Sequence, residues 1–247
     1  MHISITPEIL FHLGPLAVTN TLLTAWLVMA LITLVAVIFS VTLKKLPNRL
    51  QAAIEGVVEG LLVFFETIAG SKETAKRFFP IVATIFIFVL LSNWAGIIPG
   101  VGSIGFHEIH EGKESLVPLF RSVYSDLNMT LALALIAVSL SHFFGIVTLG
   151  LKSHVGKFIT FKSPVAAFTG ILEIVSEMAK IISFSFRLFG NIFAGEVLLT
   201  IIAFLVPYIA PLPFLGLELF VGFIQALIFG TLAMVAFSSF SVSHEEH

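Results

Sequence analysis

Apolar residues come in long blocks along this chain, and the polar positions that interrupt them mark the expected elements. Leu22 to Leu43 holds no charged residue. As a helix this block is about 33 Å long, enough to cross the hydrocarbon core of a bilayer. Lys44, Lys45 and Arg49 follow, with Pro47 breaking the helix. Residues 1–21 precede the block as a segment without Lys or Arg.

The pattern then changes. Leu50, Ile54, Val57, Leu61, Phe65 and Ile68 recur at helical spacing, while Glu55, Glu59 and Glu66 fall on another face. This predicts an amphipathic helix over 50–69 lying at the membrane interface. Lys72, Lys76 and Arg77 come after it. Residues 78–98 read as a second span, with Pro80 in its first turn and Pro99 at its end. A polar loop runs from Gly100 to about Leu127, and 128–151 reads as a third span followed by Lys152, Lys157 and Lys162.

The block 164–206 has no internal proline after Pro164. One helix of that length would be about 65 Å, twice a bilayer. It therefore either turns back near Gly190 or Gly195 or lies strongly tilted. Pro207, Pro211 and Pro213 read as a stiff turn, and 212–240 as the last helix.

Charge turns these blocks into a topology. With the N-terminus outside and 164–206 crossing once, Lys44, Lys45, Arg49, Lys72, Lys76, Arg77, Lys152, Lys157 and Lys162 are all cytoplasmic. Only Lys113 and Arg121 lie outside, a strong positive-inside bias that places the C-terminus in the cytoplasm. Composition agrees with a membrane protein. The 247 residues are 57% hydrophobic and 11% charged, against about 25% charged in soluble domains. The 26 Phe residues suit a lipid-facing surface, and the absence of Cys excludes disulfides and thiolate metal sites. No cleavable signal peptide is expected, because the first 21 residues lack a basic n-region. Nothing points to nucleic acid.

Candidate chemistry concentrates in the last two helices, which hold Glu173, Glu177, Lys180, Arg187, Glu196 and Glu218. The other spans hold no Asp, Glu, Lys or Arg in their interiors. Charge at the centre of a spanning helix costs about 2.5–3.5 kcal/mol per residue on insertion scales. At about 100° per residue, Glu173, Ser176, Lys180, Ser183 and Asn191 all fall within about 40° of Arg187, and Glu177 lies at the edge of that stripe. Glu196 faces the opposite way, and Glu218 and Gln225 share a face of the next helix with Gly222 between them. The acids lie toward opposite ends relative to Arg187. This spacing suggests two offset aqueous openings separated by a permanent cation. Arginine suits a separator because it does not deprotonate in proteins, whereas a buried lysine can. Purely structural pairs, Glu177 with Arg187 or Glu173 with Lys180, are the bland alternative for any single acid.

Ser183-Phe-Ser-Phe-Arg187-Leu-Phe-Gly-Asn191, with Ala194-Gly195-Glu196 after it, resembles subunit a of the F-type ATP synthases. Further matching stretches are Ser92-Asn93-Trp94 through Pro99, Asp126-Leu-Asn128-Met-Thr130, Glu173 to Lys180, and Gln225-Ala-Leu-Ile-Phe229. The resemblance covers the chain from Leu22 onward, with the motifs in order. It implies an all-α integral membrane protein with about five embedded helices, an interfacial helix, and a last pair forming a long tilted hairpin against a rotating c-ring. It implies two offset half-channels that load and unload the ring's carboxylates, with Arg187 preventing a proton short-circuit. Asn191, Glu196 and Gln225 map near that arginine and the outer half-channel, Glu173 maps to the inner side, and Asn93, Ser176, Ser183, Glu177, Lys180 and Glu218 complete the polar path. Glu218 stands where some members have His, and a proton shared between Glu218 and Glu196 is expected. The implied partners are the c-ring, peripheral stalk subunit b, the remaining synthase subunits and the lipid bilayer. The implied location is a bacterial inner membrane, and the ion is expected to be H+ rather than Na+. No cofactor or metal is implied, and the subunit is not itself catalytic.

The alternative is an independent proton-coupled transporter, which should show paired internal repeats and a central pocket. No convincing repeat is visible. A structural anchor leaves the stripe unexplained. Other motifs carry little. Gly100-Val-Gly102-Ser-Ile-Gly105 follows a span instead of opening a βαβ unit, so it reads as a turn. His107-Glu-Ile-His110-Glu111 lacks metal-ligand spacing and reads as a solvated loop. Asn128-Met-Thr130 is a sequon without meaning at a membrane edge. The His244–His247 end is too short and irregular to read as a tag, and the chain has no phosphate-binding loop.

Overall fold

The computed structural model describes residues 6–98, 100–101, 104–110, 113–158 and 163–239, without the side chains of 107–110, 113–116 and 157. Pro99, Gly102, Glu111, Lys162 and His244–His247 lie outside these residues. The described residues are mainly helical and include five helices long and apolar enough to cross a membrane: α1 (Asn20–Thr42), α3 (Lys72–Ile97), α4 (Leu127–Leu149), α6 (Pro164–Leu205) and α7 (Pro211–Ser239). Two further helices, α2 (Arg49–Ala69) and α5 (Leu151–Phe158), are not among them.

Local chemistry explains the boundaries. Thr19 caps α1, its side chain accepting from the Leu22 N–H, and Asn48 caps α2 in the same way through Gln51. Helix α2 ends at Gly70, whose N–H bonds the Glu66 carbonyl from a left-handed conformation at φ 73°. Ser71 starts α3 at once, its hydroxyl accepting from the Thr74 N–H. That early start corrects the expectation for Pro80. Lys72, Lys76 and Arg77 occupy the opening turns of α3, and Pro80 lies inside the helix. Its missing N–H leaves the Lys76 carbonyl without the usual i+4 donor.

Other elements also differ from the expectation. Residues 9–13 and 16–19 form a hairpin, β1 (Ile9–Leu13) with β2 (Leu16–Thr19). The loop after α3 carries a second one, β3 (Gly105–His110) with β4 (Lys113–Pro118), so Gly105 of the glycine motif opens a strand. The third span stops at Leu149 because Gly150 takes φ 80°, and Leu151 belongs to α5. At the far end of α6, Pro211 and Pro213 are in the first turn of α7, where the absent N–H groups have no helical acceptor to lose. The turn itself is made by 206–210, with Tyr208 at φ 79°. Helix α6 does not turn back at Gly190 or Gly195. It runs unbroken for 42 residues, about 63 Å.

The chain divides into two compact units. The first comprises Met1–Leu43, Phe86–Thr130 and Phe186–Leu227. Its buried residues include Val18, Val28, Val89, Tyr124 and Leu188. Polar ties join its parts: Thr21 donates its hydroxyl to Asp126 (3.0 Å), and the Arg121 N–H donates to Thr24 Oγ1 (3.2 Å). Asp126 also caps α4 by accepting from the Asn128 N–H (2.9 Å). Burial pushes the Tyr124 phenol far above its ordinary pKa, so it stays neutral. The second unit comprises Lys44–Ile85, Leu131–Ser185 and Ile228–His247. Phe78, Phe144 and Phe237 form its aromatic centre, with centroid separations of 5.0, 5.4 and 5.7 Å. Such edge and tilted contacts suit aromatic quadrupoles.

Candidate functional site

In the first unit, α6 shows two faces. Leu188 and Ile192 are buried, while Arg187, Gly190, Asn191 and Ala194 are exposed. The helical period therefore turns Arg187 and Asn191 outward while their apolar neighbours pack inward. Behind Arg187, buried Gln225 of α7 donates its Nε2 to the Arg187 carbonyl at 2.9 Å. This joins the two helices at the level of the cation.

Glu218 and Glu196 diverge in environment. Glu218 is 7% exposed, and its carboxylate lies so close to Gly195 that a Cβ there would collide with it. Gly195 thus makes room for an acid between α6 and α7. Glu196 is held by Arg121, whose Nε donates to Oε1 at 3.1 Å and Nη2 to Oε2 at 3.4 Å. The Arg121 side chain is 9% exposed and that of Glu196 32%. The expectation of a proton shared by the two acids is thereby joined by a fixed cation on one of them.

Asn93 of α3 is buried and donates Nδ2 to the Gly222 carbonyl at 3.0 Å, and the Trp94 indole donates to the Leu219 carbonyl at 3.1 Å. A Cβ on Gly222 would stand 3.1 Å from that of Asn93, so glycine permits this close approach. Gly222 thus serves helix packing between Glu218 and Gln225.

The second unit holds a different cluster. Glu177 is buried and its Oε1 accepts from Lys180 Nζ at 2.7 Å. Lys180 therefore pairs with Glu177, three residues before it on α6. The other Glu177 oxygen lies 3.7 Å from His142 Nε2. His142 Nδ1 in turn meets His154 Nε2 at 3.1 Å. Glu173 is half-buried, and Ser176 and Ser183 are exposed on α6.

Sequence reasoning missed three of these residues. By spacing alone Arg121 reads as a loop charge. Its acidic partner lies 75 positions away, beyond any helical spacing. His142 stands inside a span, and an ionisable residue in a span is a functional candidate by default. That signal was legible once histidine was counted with the charges. His154 has no comparable mark, since it sits on the short polar helix α5. Among the described residues, no group of three His, Cys, Asp or Glu side chains could hold a metal ion.

Comparison with known proteins gives a consistent result. Residues 22–238 match the family described as ATP synthase A chain. The chain is 32% identical to ATP synthase subunit a 2 of a Bradyrhizobium species over 94% of its length and 92% of the relative's. It is 36% identical to ATP synthase subunit a of Campylobacter jejuni over 88% and 89%. It is 32% identical to ATP synthase subunit a of Moorella thermoacetica over 97% and 99%.

Proposed function

The chain belongs to the ATP synthase A chain family, subunit a of the proton-translocating Fo part of F-type ATP synthases, and from that premise we propose that Arg187 is the fixed charge separating two half-channels. Membership makes it a multi-pass membrane protein of bacterial type, non-catalytic by itself, that works among the other synthase subunits. It also sets aside the independent transporter.

The observation that carries the reading is the outward face of α6. Arg187 and Asn191 are exposed on a helix long and apolar enough to span the bilayer. A guanidinium facing lipid would cost several kcal/mol. A partner carrying carboxylates within the membrane removes that cost, and the carboxylates of a c-ring are such a partner. A carboxylate reaching Arg187 loses its proton on approach, because the cation favours the ionised form. It regains one after passing. Arg187 itself passes no proton, so ions cross only on the moving carboxylates.

Glu196 and Glu218 serve the half-channel of the first unit, with Asn93 and Gln225 setting its packing and Asn191 beside Arg187 on the outward face. Glu173, Glu177, Lys180, Ser176 and Ser183 serve the other. The positive-inside bias puts the N-terminus outside and the C-terminus in the cytoplasm. On this reading α6 and α7 lie tilted along the ring, α2 lies in the interface, and peripheral stalk subunit b is a further contact. ATP-driven proton pumping in vesicles bearing the assembled complex tests the proposal. Arg187→Ala is expected to abolish pumping, and pumping that persists at the wild-type rate overturns the reading.

A further inference from the structure

We propose that His142 and His154 form an imidazole relay carrying protons between the aqueous side of α5 and the buried carboxylate of Glu177. The proposal rests on the half-channel reading above and assigns two residues to the path that the polar stripe on α6 does not contain.

The contacts form a continuous line. His154 Nε2 meets His142 Nδ1 at 3.1 Å, and His142 Nε2 stands 3.7 Å from Glu177 Oε2. Glu177 Oε1 accepts from Lys180 at 2.7 Å. The line joins three elements of different character. Helix α5 is outside the spanning set and exposes Leu151, Lys152 and Ser153, whereas His142 and Glu177 belong to the spanning helices α4 and α6. It therefore leads from a polar surface helix into the membrane part of the second unit.

Imidazole is suited to such a position because it can take a proton on one nitrogen and release one from the other. The contact between the rings needs a single proton: one nitrogen donates and the other accepts. With His154 donating, His142 Nδ1 is the acceptor and its Nε2–H faces Glu177. A proton arriving at His154 Nδ1 moves the Nε2 proton to His142 Nδ1. The His142 Nε2 proton then passes to Glu177, neutralising the carboxylate. Each ring ends with one proton, on the opposite nitrogen, and the return of both tautomers resets the line. The 3.7 Å step exceeds a direct hydrogen bond, so a small side-chain shift or one bridging water completes it.

The surroundings favour a mobile proton. Glu177 of α6, itself bonded to Lys180, faces His142, and Phe158 of α5 packs on both rings at 5.5 and 5.6 Å. His154 is 3% exposed and its Nδ1 is buried, so a side-chain shift or an entering water connects the line to solvent. A merely structural His–His tie between α4 and α5 would need neither the second nitrogen of His142 nor an acid facing it.

The test is ATP-driven acidification by vesicles bearing the whole synthase complex, with rates expressed per assembled complex. His142→Ala and His154→Gln should each slow acidification by about a hundredfold, the lower end of what a positioned proton-transfer group supplies. Free imidazole added to the medium should restore the His142→Ala rate, which it would not do for a lost structural tie. Wild-type rates in both variants overturn the relay, and so does a slowed His142→Ala complex that imidazole does not restore. Arg187→Ala run in parallel separates the two claims. If it stops pumping while both histidine variants pump normally, only the relay fails; if it pumps normally, the half-channel reading fails.

Discussion

The two units solve the problem of polar groups in an apolar chain in opposite ways. In the first, the acids Glu196 and Glu218 stand among guanidinium, amide and indole donors: Arg121 on Glu196, Gln225 on the Arg187 carbonyl, Asn93 on the Gly222 carbonyl, and Trp94 on the Leu219 carbonyl. None of these donors gives up a proton near neutral pH. In the second, the line is His154, His142, Glu177 and Lys180, every member of which can exchange one. Fixed charge and exchangeable charge are thus built from different residue types on the same helices. A proton motor needs both: one part that holds a field, and another that hands protons on.

The contrast can be attacked directly, beginning where the effect is largest. Arg187→Lys should cut ATP-driven pumping by about a hundredfold or more, because the replacement can deprotonate when desolvated and loses the planar fork. Near-normal pumping would show that any cation serves and would erase the distinction between the units. Arg121→Leu should destabilise the subunit by about 1.5–3 kcal/mol, because it removes the charged hydrogen bonds that a 9% exposed guanidinium makes to Glu196. Thermal release of the subunit from the detergent-solubilised complex reads this, and adding Glu196→Gln should recover much of the loss. Gly195→Ala should cost about 1–3 kcal/mol by crowding the Glu218 carboxylate. Combining it with Glu218→Asp, one methylene shorter, should relieve most of that. Lys180→Ala should be the mildest, about 1 kcal/mol, because the lysine is 38% exposed and the buried Glu177 keeps His142 at 3.7 Å. If it destabilises as much as Arg121→Leu, the second unit is held by fixed pairing too.

Legibility followed sequence distance. The α6 pattern and the outward face of Arg187 are repeats of three and four residues, which a single strand of text displays. The end of α2 and the start of α3 are local as well, yet Pro80 misled, because the caps at Gly70 and Ser71 start the helix earlier than the apolar block does. The β3–β4 hairpin was hidden because a short polar loop segment carries little alternation to read. Arg121 and Glu196, or His142 and His154, depend on tertiary placement. No periodicity links residues separated by a hairpin or by a left-handed glycine.

The tie between Asn93 and Gly222 carries a consequence for how the chain is made. Its two residues are 129 positions apart. At cellular elongation rates of about 5–20 residues per second, Asn93 emerges on the order of ten seconds before its acceptor exists. During that interval α3 must wait in or beside the bilayer with an amide and an indole unanswered. A chain that stops before α7 is therefore expected to keep displaying that unmet polarity, and the cell can read it as the mark of an unfinished subunit.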